Sequence, residues 1–235
     1  MSPVRPSLPT LLREVRACTL CAPHLPNLPR PVLRAHRDAR ILIVGQAPGR
    51  RVHETGIPFN DPSGDRLRDW MGVTREVFYD ERLIALVPMA FCYPGTGHAG
   101  DLPPRRECAA TWRAPLLERL PNVELTLAVG QYAIAYHLPH VKGSVANTVR
   151  GWRDHWPALV PLPHPSPRNN LWLRTHAWFE DEVVPAIRRR VGEVLGRDAP
   201  RRAATREVGE GAPYVRGGTR PITSVTDLCD RDSSG

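Results

Sequence analysis

Lysine is almost missing from this chain: of 32 basic residues, Lys142 is the only one. Schiff-base chemistry needs a desolvated amine inside a site, and Lys142 stands apart from every motif described below, which excludes that chemistry. No apolar run approaches the roughly 20 residues that a membrane-spanning helix requires. The first residues, with Pro3, Pro6 and Pro9, lack the apolar centre of a secretory signal, so a cytoplasmic protein is expected, in a compartment where structural disulfides are rare. The glycine-rich stretch Gly95-Thr96-Gly97-His98-Ala99-Gly100 has no Lys-Ser pair opening a helix behind it, which excludes a phosphate-binding P-loop. It reads instead as a mobile loop.

What the chain does have is arginine. The net charge is +8 and the pI about 9.8. Arginine pairs bidentately with phosphate and stacks on bases, so a polyanionic partner such as a nucleic acid is expected. With 235 residues and 41% hydrophobic content, one globular domain over 1–195 is expected. Beyond it the apolar periodicity stops, and 196–235 reads as a disordered basic and polar tail. That tail holds seven arginines against six acids, so most of the basic excess belongs to the folded part.

Apolar runs alternate with helical patterns. Strands are expected at 41–44, 84–89, 124–129 and 159–162. Helices are expected at 7–17, from a cap at Ser63 or Asp65, at 105–120, at 131–137 and at about 170–191, the last kinked at Pro185. Strands alternating with helices predict an α/β fold whose parallel sheet is covered on both faces. In such sheets ligands bind at the carboxyl ends of strands. Two strands end in polar loops rich in Gly or Pro: Gly45-Gln46-Ala47-Pro48-Gly49 and His164-Pro165-Ser166-Pro167-Arg168-Asn169. Together they offer an amide, an imidazole, a hydroxyl and a guanidinium to one crevice. Five cysteines are present. Cys18 and Cys21 form a C-x-x-C pair, Cys92 and Cys108 follow, and Cys229 lies in the tail as a bystander. Thiolates at this spacing favour zinc or an iron–sulfur cluster, and spacing alone leaves both open, beside four unrelated core thiols.

The motifs Gly45-Gln46-Ala47-Pro48-Gly49, Gly56-Ile57-Pro58-Phe59, Ser63-Gly64 and His164-Pro165-Ser166, in this order, resemble the uracil-DNA glycosylase superfamily, and most of all its iron–sulfur branch, family 4. The resemblance covers roughly residues 10–192. It implies a three-layer α/β/α fold with a central four-stranded parallel sheet, acting as a monomer on DNA that carries a damaged or deaminated base. It implies hydrolysis of the N-glycosidic bond of a flipped-out base, in base excision repair, leaving an abasic site. It also implies Cys18, Cys21, Cys92 and Cys108 as ligands of a [4Fe–4S] cluster, with zinc as the alternative.

The resemblance further implies site roles. His164 donates to the base as the C–N bond breaks, in the manner of an oxyanion hole. Phe59 stacks on the base, Gly45 and Ala47 lie beside it, and Gln46, where family 4 carries Glu, contacts the base carbonyl or orients a water as a catalytic residue. Ser166, Arg168 and Asn169 meet the DNA backbone. Two further departures stand out. Ala47 occupies the place where another branch carries a water-activating Asp, and Arg50-Arg51-Val52-His53-Glu54 stands where family 4 has an acidic stretch, which leaves His53, Glu54 and Asp61 to activate water. Pro88 stands where family 4 has the Asn that reads uracil, so Tyr93 or Gln131 is expected to take that role, or the preferred base differs. Two other readings of the same crevice are a non-catalytic protein that recognises damaged nucleic acid and a hydrolase of nucleosides or small glycosides.

Overall fold

The computed structural model describes residues 6–98 and 100–196. Apart from Gly196, the expected tail at 196–235 with Cys229 lies outside the described residues.

Among the described residues, four strands form one parallel sheet: β1 (Ile41–Val44), β2 (Ile84–Leu86), β5 (Leu125–Val129) and β6 (Leu159–Leu162), in the spatial order β2-β1-β5-β6. In β1 all four residues are buried. Successive strand residues point to opposite faces, so both faces of the sheet are covered. Hence the strands read as continuous apolar runs without alternation. The helices α1 (Leu8–Arg16) and α5 (Arg106–Leu117) pack together, as do α3 (Pro62–Met71) and α9 (Val184–Val194). This is the three-layer α/β/α arrangement.

The chain leaves β1 for β2 on one side, then crosses to β5 on the other. The topological switch therefore lies at the carboxyl ends of β1 and β5, where ligands settle in open parallel sheets. Local chemistry sharpens that end. Main-chain pairing continues past the sheet, with Met89 N–H donating to Gly45 O (2.8 Å) and Ala90 N–H to Gln46 O (3.1 Å). The loop after β1 is thereby fixed to the segment after β2. The turn after β5 holds Gly130 at φ +81°, a conformation that suits glycine. A Cβ there would lie 3.7 Å from the His164 ring.

Several boundaries differ from the sequence expectation. The cap of α3 is Asp61, whose side chain accepts from Gly64 N–H; Ser63 and Asp65 lie inside the helix. Pro62 at the first helical position explains the shift, because proline there lacks only an N–H that is unpaired anyway. The stretch 94–104 contains a small hairpin, β3 (Thr96–Gly97) with β4 (Gly100–Asp101). Short helices α2 (Arg50–Thr55), α4 (Arg75–Tyr79) and α7 (Val145–Arg150) add to the expected elements, while α6 (Gln131–His137) lies where expected. The last helix is broken into α8 (Asn170–Thr175), a π-helical turn (Phe179–Val183) and α9. Pro185 sits in the first turn of α9, directly after the π-helical turn, and the helical run continues through it. The break lies upstream, where the Trp172 and His176 rings stack 4.3 Å apart.

Candidate active site

The loops after β1 and β6 meet. An inner cavity is bordered by Gly45, Gln46, Phe59, Asp61, Pro88 and His164. An outer groove is bordered by Gln131, Asn169 and Trp172 among others. Six residues border both spaces and so form the collar where they adjoin: Gln46, Ala47, Asp101, His164, Ser166 and Arg168.

Phe59 is the one non-glycine residue with positive φ among the described residues, at 54°. For an aromatic residue this is a strained backbone, and its supports are identifiable. A Cβ on Gly64 would fall 1.8 Å from the Phe59 carbonyl oxygen, so the first turn of α3 reaches Phe59 only because residue 64 has no side chain. The same carbonyl accepts from the buried Arg68 guanidinium (3.4 Å), which also pairs with Asp65 and lies over the Phe78 ring. Phe59 meets Phe78 edge-on at 6.0 Å. The Gly45 Cα is bare toward the Phe59 ring, since a Cβ there would sit 3.2 Å from it. One aromatic ring is thus held against the glycine that opens the first loop.

His164 is fixed in one tautomer. Its Nδ1 accepts from the Ser166 N–H (3.2 Å), so in the neutral ring the proton sits on Nε2. Burial pushes its pKa below the usual 6.5, with Asp61 and Asp101 pulling weakly the other way. A neutral imidazole with an Nε2–H donor is the resting state. The turn that carries it is clamped at both ends. Asn169 donates to His164 O (2.7 Å). Arg66 of α3 donates to Pro165 O (3.3 Å), Ser166 O (3.2 Å) and Asn170 Oδ1 (2.7 Å). Arg66 thereby ties the Phe59 side of the crevice to the His164 side, and nothing in its local sequence announces that role.

The remaining expected residues divide. Gly45, Gln46, Ala47, Phe59 and Asp61 border the inner cavity, and Ser166, Arg168 and Asn169 border the groove. Gln46 donates its amide to Leu102 O (2.9 Å), and Asp61 Oδ1 accepts from Gly64 N–H (2.9 Å). His53 does not reach the crevice: it lies on α2 with its ring 6.0 Å from Tyr93 and its buried Nδ1 without a partner. Glu54 is exposed on the same helix, whose last carbonyls, His53 O and Glu54 O, accept from Arg30. Tyr93 is turned to Thr96, and Gln131 borders only the outer groove, so neither brings a polar group to Pro88.

Behind Pro88 lies a residue that the sequence reading missed. Arg113 is fully buried and donates to Val87 O and Pro88 O, both at 3.1 Å. It also contacts His137 Nε2 at 3.0 Å and lies over the Tyr136 ring. Among the described residues no carboxylate pairs with it. Burial and the guanidinium hold the His137 pKa down to about 4, so His137 is the acceptor.

The four cysteines converge too. Cys18, Cys21, Cys92 and Cys108 line one small apolar cavity between the end of α1, the segment after β2 and the first turn of α5. Trp112 Nε1–H points at Cys18 Sγ (3.4 Å), and Arg105 borders the same cavity. Burial pushes the Cys21, Cys92 and Cys108 thiols up, to about 11 for Cys92 and about 12 for Cys108. Bare thiols at those values stay protonated, whereas metal binding displaces the proton and holds the thiolate. Among the described residues no group of three or more His, Cys, Asp or Glu side chains is arranged around a single metal ion.

Comparison with known proteins agrees with this geometry. A Type-4 uracil-DNA glycosylase of Thermotoga maritima is 28% identical over 159 residues, covering 65% of this chain and 78% of that protein. The sequence signature of the uracil DNA glycosylase superfamily matches residues 33–188, a span that runs through every strand of the sheet and both loops of the crevice. On that match the chain belongs to the uracil DNA glycosylase superfamily.

Proposed function

We propose that this protein is a monofunctional DNA glycosylase that hydrolyses the N-glycosidic bond of uracil or another deaminated base flipped out of the DNA stack. The observation that carries this reading is the inner cavity, where the loops after β1 and β6 and the Phe59 ring border one space. A base extruded from DNA must be held by stacking and by hydrogen bonds to its edge. Phe59 supplies the face, while Gln46 keeps a carbonyl oxygen and one amide hydrogen for the edge. The leaving base departs as an anion, and the His164 Nε2–H stabilises it without needing a positive charge. Ser166, Arg168 and Asn169 in the groove position the DNA backbone. Of the three residues first considered for activating water, only Asp61 borders a cavity. Pro88 offers no side-chain polar atom to the base edge, which argues for a broader choice of deaminated bases than a site reading uracil through an amide.

The cysteine quartet lining one cavity supports a [4Fe–4S] cluster as its occupant, with zinc as the alternative. Bound there, it serves as a structural clamp joining α1, the segment after β2 and α5. A brown, iron-containing protein is the expected preparation; a colourless zinc protein counts against the cluster.

The test is a base-release assay on single- and double-stranded oligonucleotides carrying uracil, hypoxanthine or xanthine, with His164→Ala and Phe59→Ala beside the parent. Release by the parent and its loss in both variants support the reading. Salt-sensitive DNA binding without release from any oligonucleotide points to a non-catalytic damage binder. Release from free nucleosides with little salt dependence points to a small-glycoside hydrolase.

A further inference from the structure

We infer that Asp101 is the carboxylate that orients the attacking water, an inference that rests on the glycosylase reading. In that reading the base enters the inner cavity and the backbone follows the outer groove, so the bond to be broken lies at the collar between them. Among the described residues that border both spaces, Asp101 is the only carboxylate. Asp61 borders the inner cavity alone, on the base side, and one of its oxygens caps α3.

The β3–β4 hairpin places Asp101 there. Thr96 pairs with Asp101 across the hairpin, and its hydroxyl donates to Asp101 Oδ1 (3.2 Å). Leu102 N–H donates to Gly95 O (2.8 Å), and Gln46 donates to Leu102 O (2.9 Å). The hairpin is therefore fastened to the loop after β1. Asp101 Oδ2 lies over Gly49, where a Cβ would sit 3.3 Å from it. One oxygen is thus occupied and the other faces the bare glycine of the motif loop. Asp101 also acts electrostatically on His164, which puts donor and acceptor on the same small space.

The step balances as follows. The water oxygen bonds to the sugar C1′ while the C1′–N bond breaks and its electron pair leaves with the base. The water proton passes to the Asp101 carboxylate and then to solvent. The base anion, held by His164 Nε2–H, takes its proton from solvent. Before attack the carboxylate also faces the positive charge developing on the sugar. Asp101 thus fills the place that Ala47 leaves vacant in the first motif, from a different loop.

The test compares Asp101→Asn with Asp61→Asn in single-turnover base release by the full chain, with DNA affinity and thermal unfolding measured on the same proteins. Asp101→Asn is expected to slow release by about 100-fold or more, with an unchanged unfolding temperature and unchanged or tighter DNA binding, because a negative charge facing phosphate is gone. Release near the parent rate, or a loss matched by weaker binding or a lower unfolding temperature, overturns the assignment. So does a large rate loss confined to Asp61→Asn. If the parent itself releases no base from any oligonucleotide, the glycosylase reading fails first, and that failure is visible before any variant is compared.

Discussion

Replacing Gly64 with alanine sets two physical effects of opposite sign against each other. Helix propensity alone favours Gly64→Ala by roughly 1 kcal/mol, because alanine loses less backbone freedom than glycine. The tertiary contact opposes it. A Cβ on residue 64 would lie 1.8 Å from the Phe59 carbonyl oxygen, where carbon and oxygen need about 3.3 Å. Either the first turn of α3 or the Phe59 peptide must retreat by roughly 1.5 Å. Neither is the free end of a flexible side chain: α3 is capped by Asp61, and the Phe59 carbonyl accepts from Arg68. Overpacking of this kind costs about 1–3 kcal/mol, and the hydrogen bond to Arg68 adds about 1 kcal/mol if lost. Net destabilisation of about 1–3 kcal/mol remains after the propensity gain. In a domain of this size each kcal/mol moves the unfolding midpoint by about 2–4 °C. Displacing the Phe59 ring by about 1 Å is expected to slow base release by roughly 100-fold. Thermal unfolding followed by circular dichroism and single-turnover base release measure the two consequences. A variant with a raised midpoint and the parent's rate would refute both the steric argument and the role given to Phe59.

Three other outcomes follow from the same geometry. His164 and His137 have pKa values lowered by burial, His137 to about 4, so the unfolded chain takes up their protons first and stability falls as the pH drops from about 6.5. His137→Gln, which keeps an acceptor for Arg113, is expected to make the denaturant midpoint less sensitive to acid over pH 4–6.5, and an unchanged slope would count against the buried neutral ring. Arg113→Met leaves Val87 O, Pro88 O and His137 Nε2 without their donor; at about 1–3 kcal/mol for each unsatisfied group, offset by removal of a buried charge, a net loss of about 3–5 kcal/mol is expected, and a loss under about 1 kcal/mol in urea unfolding would contradict it. Cys108→Ser is expected to lower both the iron content and the unfolding midpoint, read by metal analysis and calorimetry, and full iron retention would remove Cys108 from the ligand set.

Much of this molecule is legible from its sequence because the relevant signals are local. β1 announces itself as an apolar run because both of its faces are buried, and it passes directly into Gly45-Gln46, so the strand and the loop at its carboxyl end are read together. The same holds for β6 and His164-Pro165-Ser166. Boundaries were less legible where two caps compete: Asp61 precedes a proline that suits the first helical position, and this decides against Ser63 and Asp65. The hairpin at 96–101 is too short to carry a period, so Asp101 passed for a loop residue. His53 looked equivalent to Asp61 by proximity to the first motif, yet α2 carries it to the Tyr93 side, away from the crevice.

The sequence by itself determined the alternation of buried strands and helices, the loops that end β1 and β6, and the cysteine spacing, since each depends on neighbours within a few residues. The tertiary structure alone decided that Arg66 clamps a turn 99 residues away and that Arg113 backs the wall at Pro88. It also decided that Gly64 must be bare for Phe59 and that Asp101 stands at the collar. Those relations are contacts between segments brought together by the crossing of the chain over its own sheet, and no local pattern encodes a distance between atoms so far apart along the backbone.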